Sequence, residues 1–216
     1  MTLVPVKTPK LIKKIFSNYV WDVKGNQKVI YLTFDDGPTP EITTWTLDIL
    51  QQYQAKATFF CIGNNIQKHP NIFKQILAQG HAVGNHTFNH AQGFKTQTDV
   101  YLNEVAQTQN LINLSKQNAG AFSKSKLFRP PFGKIKNSQG KALLALGYKI
   151  IMWDILSFDW KTKVTKQACL SHVITKTGSG SIVVFHDSVK ASKNMQYALP
   201  KFLEFFSKKG YVFKSL

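Results

Sequence analysis

Residues 31–40 read Tyr-Leu-Thr-Phe-Asp-Asp-Gly-Pro-Thr-Pro, and they close an apolar run that opens at Val29. The run has the length and content of a buried strand, and Gly37-Pro38 stops it. Its tip carries two adjacent carboxylates, Asp35 and Asp36. Neighbouring aspartates repel, and along a strand their side chains point to opposite faces. A pair kept at such a place implies two carboxylates with separate duties.

Working outward, the same pattern recurs. Apolar runs at 57–62, 81–85, 126–130, 148–154, 181–186 and 211–214 alternate with amphipathic stretches at 41–53, 64–78, 97–116, 137–146, 164–175 and 194–209. Strands alternating with helices through one uninterrupted chain imply a parallel sheet, closed into a barrel or open. Asp35-Asp36, His86, Arg129, Asp154 and His186 each fall at the C-terminal end of a different expected strand. A barrel gathers those ends on one face, whereas an open sheet spreads them along a crevice. The expectation is therefore an α/β single domain, a distorted (β/α)7–8 barrel of TIM-barrel-like type over residues 29–216. Residues 1–28 form a basic segment packed on it. Within that segment Thr8-Pro9 reads as a cap with proline at the first helical position, leading into Lys10 to Phe16. The bland reading of Lys10–Phe16 is a surface helix covering one barrel end, and the functional one is contact with a membrane surface.

Composition narrows the function classes. The chain has 216 residues, is 43% hydrophobic and 18% charged, and carries a formal charge of +17, enough apolar material for a core. Such a charge usually points to nucleic acid, anionic lipid or an acidic polymer. Of the 28 basic residues only Arg129 is arginine, and base-reading or phosphate-gripping surfaces favour arginine. Scattered lysines describe a solvated surface with weak attraction to anionic membranes or wall polymers, and no specific nucleic-acid partner. Cys61 and Cys169 fit no metal spacing and have apolar neighbours, as buried reduced thiols do. With no membrane-length apolar stretch and no signal-like start, the expected location is cytoplasmic or at a membrane surface, with export only where a leader has been removed.

Chemistry concentrates in a few stretches. In Gly84-Asn85-His86-Thr87-Phe88-Asn89-His90 the histidines stand at i and i+4, which on a helix would put both imidazoles on one face and within reach of one metal ion. Chance gives this spacing too, but a carboxylate pair at another strand end makes a two-histidine, one-carboxylate site the better reading. Such a set leaves coordination positions open for water. One aspartate would then bind metal and the other stay free as a base. In Phe128-Arg129-Pro130-Pro131-Phe132-Gly133-Lys134 the lone arginine stands where a planar, permanently charged fork is useful, with a structural ion pair as the bland alternative. The Phe132 backbone N–H there is placed to meet a developing oxyanion. His186 closes the run Ile182-Val183-Val184-Phe185, and an aspartate from a neighbouring strand end would make it a general acid rather than a core histidine. Of 11 acidic residues, Asp35, Asp36, Asp154, Asp159 and Asp187 all fall in these stretches.

In this order the stretches resemble the polysaccharide deacetylase family, the NodB-homology or carbohydrate esterase 4 group. The resemblance runs through Thr33-Phe34-Asp35-Asp36-Gly37-Pro38, His86-Thr87-Phe88-Asn89-His90, Arg129-Pro130-Pro131-Phe132-Gly133, Asp159-Trp160 and Val184-Phe185-His186. It implies a NodB-type distorted barrel and metal-dependent removal of N-acetyl groups from N-acetylglucosamine-containing glycans of peptidoglycan or chitooligosaccharide type. Carried over by position, Asp36, His86 and His90 would hold one divalent ion, typically Zn2+, with Co2+ or another divalent ion as alternatives. Asp35 would be the base toward metal-activated water, Arg129 would orient Asp35, and His186 would be the acid, tuned by Asp159. Trp160 and Val184 would wall the acetyl methyl pocket, and the Phe132 N–H would face the oxyanion. Phe132 stands where the family usually has Tyr, and Val184 where it usually has Leu.

Two other classes compete with this reading. A metal-dependent amidohydrolase acting on a non-sugar amide would use the same barrel and metal, since a fold does not specify a substrate. A non-catalytic glycan-binding module is disfavoured because every proton-transfer position is filled.

Overall fold

The computed structural model of the protein describes residues 4–25, 27–118 and 125–216; Met1, Thr2, Leu3 and Asn26 of the expected N-terminal segment lie outside the described residues. Its centre is β1 (Val29–Asp35), the buried run that ends in the aspartates. In chain order there follow α2 (Ile42–Gln52), β2 (Ala57–Cys61), α3 (Gly63–Lys68), α4 (Pro70–Ala78), β3 (Ala82–Asn85), α5 (Thr98–Asn118) and β4 (Lys126–Phe128). The chain continues with α6 (Asn137–Ala145), β5 (Tyr148–Ile150), β6 (Ile155–Leu156), α7 (Lys166–Lys176), β7 (Ile182–His186), α8 (Ser192–Lys208) and β8 (Val212–Phe213). A short helix, α1 (Lys10–Ile15), precedes them all.

The strands form one curled parallel sheet in the order β5-β4-β3-β2-β1-β7-β6, with β8 pairing the start of β1. Alternation along β1 explains both of its faces. Ile30, Leu32 and Phe34 join Phe59, Val183, Phe185 and the α8 residues Leu199, Phe202 and Phe206 in the main core between sheet and helices. Tyr31, Thr33 and Asp35 point the other way, into the barrel interior. There Phe60, Leu127, Ile151 and Ile182 pack together, with Leu156, Phe158 and Val184 forming a second cluster. Both faces are buried, so the strand reads as a continuous apolar run rather than an alternating one.

The single-domain α/β barrel forms as expected, but strand pairing does not close its ring. Between β5 and β6 the N-terminal segment serves as the missing edge. Val20 N–H donates to Ile150 O at 2.9 Å, Met152 N–H to Val20 O at 2.7 Å, and Leu156 N–H to Val6 O at 2.9 Å. Residues 6–22 thereby cover two edges that would otherwise expose unpaired backbone groups.

This seam corrects one expectation. The run 148–154 is not a single strand; β5 ends at Ile150, and Asp154 immediately precedes β6 instead of closing β5. Its N–H bonds Ile182 O, the first residue of β7, at 3.0 Å. Asp154 therefore sits at the strand-start end of the barrel, the end opposite His186. There it is buried and accepts from Lys7 Nζ at 3.0 Å, Lys13 Nζ at 2.6 Å and Ser181 Oγ at 2.7 Å. Burial pushes its carboxyl up, but hydrogen bonds from Lys13, Ser181 and Lys7 outweigh that and hold it below the ordinary value. Two further readings change in detail. Pro70 splits the helix expected at 64–78 into α3 and α4, and Pro9 caps α1 from outside rather than starting it. Cys61 and Cys169 are free and buried, as their apolar neighbours suggested.

Asp154 is thus a clamp for the N-terminal segment. Asp154→Ala is expected to lower unfolding free energy by about 3 kcal/mol, because it strands Lys13 and Ser181 in a largely buried place. Denaturant unfolding measures it; a loss under about 1 kcal/mol would show that the clamp is not holding the seam.

Candidate active site

All the side chains singled out by the sequence, except Asp154, meet at the strand-end face. Asp35 ends β1 and Asp36 follows it with φ 85°, a left-handed conformation that turns the second carboxylate out of the strand's alternation. The Asn65 side-chain amide holds the turned backbone by donating to Asp36 O at 2.8 Å. The repulsion between neighbouring aspartates is settled by geometry: Asp35 points into the barrel, and Asp36 lines the mouth.

His86 follows β3 directly, and His90 stands four residues on, but no helix joins them. The segment is a loop in which Thr87 (φ 63°) and His90 (φ 58°) adopt left-handed backbone. The helical explanation of their spacing is therefore replaced. Backbone bonds pin the loop: Gly63 N–H donates to Thr87 O and Asn64 N–H to Phe88 O, both at 2.9 Å. Asn85 Oδ1 accepts from Thr87 N–H at 3.0 Å, while its amide donates to Val105 O at 2.8 Å. The two imidazole centroids end 5.0 Å apart.

Asp36, His86 and His90 each offer a donor atom, all within 4.8 Å of one another. Asp36 Oδ1 lies 3.8 Å from His86 Nε2 and 3.4 Å from His90 Nε2. Ligands at zinc-type bond lengths in a tetrahedral set stand about 3.4 Å apart, so the spacing fits a small divalent ion. The tautomer fits too. His86 Nδ1 lies 2.7 Å from Arg129 O, and a carbonyl only accepts, so Nδ1 carries the proton and the Nε2 lone pair is left for the cluster. Burial pushes both imidazoles toward the neutral form a ligand needs, His90 to about 4 with His86 adding repulsion. Burial acts against ionised Asp36, but the field of the His186 imidazolium, with a hydrogen bond from Ser188, holds its carboxyl below the ordinary value.

Two supporting pairs flank this cluster. Arg129, wholly buried after β4, donates from Nη1 to Asp35 Oδ1 and to Thr33 Oγ1, both at 2.7 Å. Its other donors go to Ile151 O at 3.1 Å and Met152 O at 2.8 Å, and its guanidinium lies 4.2 Å from the Phe60 ring centroid. The expected fork on Asp35 is thus a single N–H. The remaining donors fill carbonyls freed where the β5–β6 run breaks. On the other side, buried Asp159 grips His186 twice, with Oδ1 2.8 Å from Nδ1 and Oδ2 accepting from the His186 N–H at 2.7 Å. Burial pulls that imidazole down, but Asp159 more than offsets it, with Asp36 and Asp35 adding to the effect, and its pKa rises to about 9.

Trp160 lies with its ring centroid 4.5 Å from that of His186 and packs on the cluster containing Val184, which is buried two residues below His186 on the same strand face. Phe132 has φ 59°, and its exposed ring stands 4.6 Å from His90. A cleft of about 370 Å³ runs from Asp36 and His90 past Asn65, His69 and Val189. A second of about 440 Å³ begins beyond Phe132, between Phe94, Lys95 and Lys134.

Sequence reasoning gave no role to Asp187. This wholly buried carboxylate accepts from Gly37 N–H at 3.0 Å and from Thr43 Oγ1 at 2.5 Å, stapling the turn that carries Asp36. A Cβ at Gly37 would collide with it. Burial pushes its pKa up to about 7. Its position directly after His186 was a usable signal; its partners, 144 and 150 residues away, were not.

With the site laid out, comparison with known proteins identifies the family. The sequence pattern of the family described as "Polysaccharide deacetylase" matches residues 22–151, and the chain belongs to that family of hydrolases. It is 35% identical over 195 residues to a peptidoglycan-N-acetylglucosamine deacetylase of Bacillus cereus, covering 89% of this chain and 88% of that one. It is 29% identical over 208 residues to the peptidoglycan-N-acetylmuramic acid deacetylase PdaA of Bacillus subtilis, covering 95% and 76%. Among solved structures it matches the Bc1960 peptidoglycan N-acetylglucosamine deacetylase in complex with 4-naphthalen-1-yl-N-oxidanyl-benzamide, with a TM-score of 0.86, 32% identity and coverage of 97% and 95%.

The arrangement around Arg129 makes a sharp expectation. A lysine keeps the charge but cannot serve Asp35, Thr33, Ile151 and Met152 together. Arg129→Lys is expected to lower unfolding free energy by about 3 kcal/mol and turnover by at least about tenfold. Wild-type stability with full activity in that variant would reduce Arg129 to an ordinary ion pair.

Proposed function

We propose that the protein removes N-acetyl groups from N-acetylglucosamine-containing glycans of the peptidoglycan type, in a reaction that depends on one divalent metal ion. The observation that carries this reading is the pairing of Asp35 with His186. They are register partners on adjacent strands β1 and β7, each held by its own charged neighbour, with the Asp36/His86/His90 cluster beside them. A base and an acid about one strand spacing apart suit a reaction that takes a proton from water and returns one to a leaving amine. The substrate class rests on the relatives, which are named for peptidoglycan.

In this reading Asp36, His86 and His90 hold the ion. Bound there, a divalent metal, zinc by the donor set, supplies Lewis-acid polarisation of the acetyl carbonyl and of water. Arg129 occupies Asp35 Oδ1, which leaves the other carboxylate oxygen to take the proton of the attacking water. As the carbon–oxygen bond forms, the Phe132 N–H donates to the oxygen gaining charge. His186, fixed through Nδ1 by Asp159, presents Nε2 to the amide nitrogen. Proton delivery there lets the carbon–nitrogen bond break, giving acetate and a free amino sugar. Trp160 and Val184 supply the apolar wall against which the acetyl methyl lies.

Acetate release from peptidoglycan fragments and from chitooligosaccharides, set against small non-sugar amides, tests the substrate class; activity on the amides alone would overturn it. The metal roles are tested by His90→Ala, expected to lose bound metal and turnover together while far-UV circular dichroism stays unchanged. Undiminished metal content in that variant would remove His90 from the ligand set. Asp35→Asn is expected to keep the metal and lose about 10²–10⁴ in turnover, the usual share of a general base. Metal lost from Asp35→Asn but kept in Asp36→Asn would exchange the roles of the two aspartates.

A further inference from the structure

Helix α1 is built inside out. None of its residues is buried, and its apolar side faces water: Leu11 is 66% exposed and Ile15, one turn on, 61%, with Phe16 at 48% and Val4 at 47%. Its inward contact is a charge. Lys13 reaches in to Asp154 at 2.6 Å and to Asp22 at 2.5 Å. A six-residue helix has little stability of its own and normally forms by burying its apolar stripe on the protein. Here ion pairs and the backbone bonds of Thr8 and Val20 fix the helix, and the stripe is presented outward. Twelve large apolar residues are exposed among the described residues, and five of them (Val4, Leu11, Ile12, Ile15 and Phe16) lie in this one stretch. Such concentration marks a contact surface.

Charge specifies what the surface fits. Residues 1–28 contain six lysines against the single acid Asp22, which Lys13 already engages. Lys10 and Lys14 are exposed on α1 itself, interleaved with Leu11 and Ile15. Apolar side chains flanked by lysines on a short helix match the boundary of an anionic bilayer, where the former enter the acyl edge and the latter meet phosphate headgroups. The residue holding the helix, Asp154, lies beside the first residue of β7, whereas His186 ends that strand. Contact through α1 therefore leaves the strand-end face free.

We propose that α1 is an interfacial docking element for an anionic phospholipid surface, with Leu11, Ile15 and Phe16 as its apolar contacts and Lys10 and Lys14 as its headgroup contacts. The test is co-sedimentation of the full chain with phosphatidylglycerol/phosphatidylcholine vesicles and with phosphatidylcholine alone. Binding to the first and not the second is expected. The double variant Leu11→Ser/Ile15→Ser should bind at least about tenfold more weakly with an unchanged melting temperature, since neither side chain is buried. Lys10→Gln and Lys14→Gln should each weaken binding by about fivefold. No binding to anionic vesicles overturns the proposal. So does undiminished binding by the double serine variant, which would assign attachment to general lysine charge. Sedimentation velocity showing a dimer that this variant dissolves would give the surface to a second copy instead.

Discussion

The buried pair of Arg129 and Asp35 is the constraint from which the rest of the barrel top follows. A guanidinium removed wholly from water is tolerable only when its donors are matched. This one is matched by acceptors from separate parts of the chain: Thr33 and Asp35 on β1, and the carbonyls of Ile151 and Met152. Satisfying them draws β1 and the β5–β6 junction toward one point, with the Phe60 ring packed against the cation. The Arg129 carbonyl is engaged as well, by His86 Nδ1. One residue thus fixes the direction of a carboxylate and the tautomer of an imidazole, and the two candidate functions of the site share a single support.

That network also explains what the sequence could and could not reveal. Asp35, His86, Arg129 and His186 were placed at strand ends because the strands are marked by continuous apolar runs, a signal each run carries in itself. The break at 151–154 carries no such mark, since Ile-Met-Trp is as apolar as the strands on either side. The carbonyls there are taken instead by Arg129, more than twenty residues away, and the neighbouring backbone groups by Val20 of the N-terminal segment. Asp154 was consequently assigned to the wrong end of the barrel. The two histidines do come together, but on a loop rather than on the helix that their spacing implies. An i, i+4 pair predicts convergence on a helix, but a loop with two left-handed residues reaches the same convergence by backbone twist, which composition does not announce.

The three carboxylates of the mouth show how little residue type decides. Asp35 is tied to a permanent cation, Asp36 is surrounded by imidazoles, and Asp187 has only neutral donors, Thr43 and Gly37. At Asp36 the His186 imidazolium holds the carboxyl below its ordinary value, whereas at Asp187 burial dominates and moves the carboxyl up to about 7. Four of the five aspartates in the marked stretches (Asp35, Asp36, Asp159 and Asp187) do lie together at the strand-end face, and Asp154 does not. Residue type alone does not separate their duties, because their environments depend on partners up to 150 residues distant.

The left-handed residues of the mouth have a cost beyond geometry. Asp36, Thr87, His90 and Phe132 all hold positive φ without being glycine, and each such residue stores on the order of 1 kcal/mol of strain. Glycine at Thr87 or Phe132 would relieve that strain, yet it would also free the backbone that aims the neighbouring donors. Selection for a tougher protein and selection for a rigid mouth therefore pull on the same four positions in opposite directions. Variants chosen for heat resistance alone should accumulate their changes in the helices and the N-terminal seam, and leave this rim as it is.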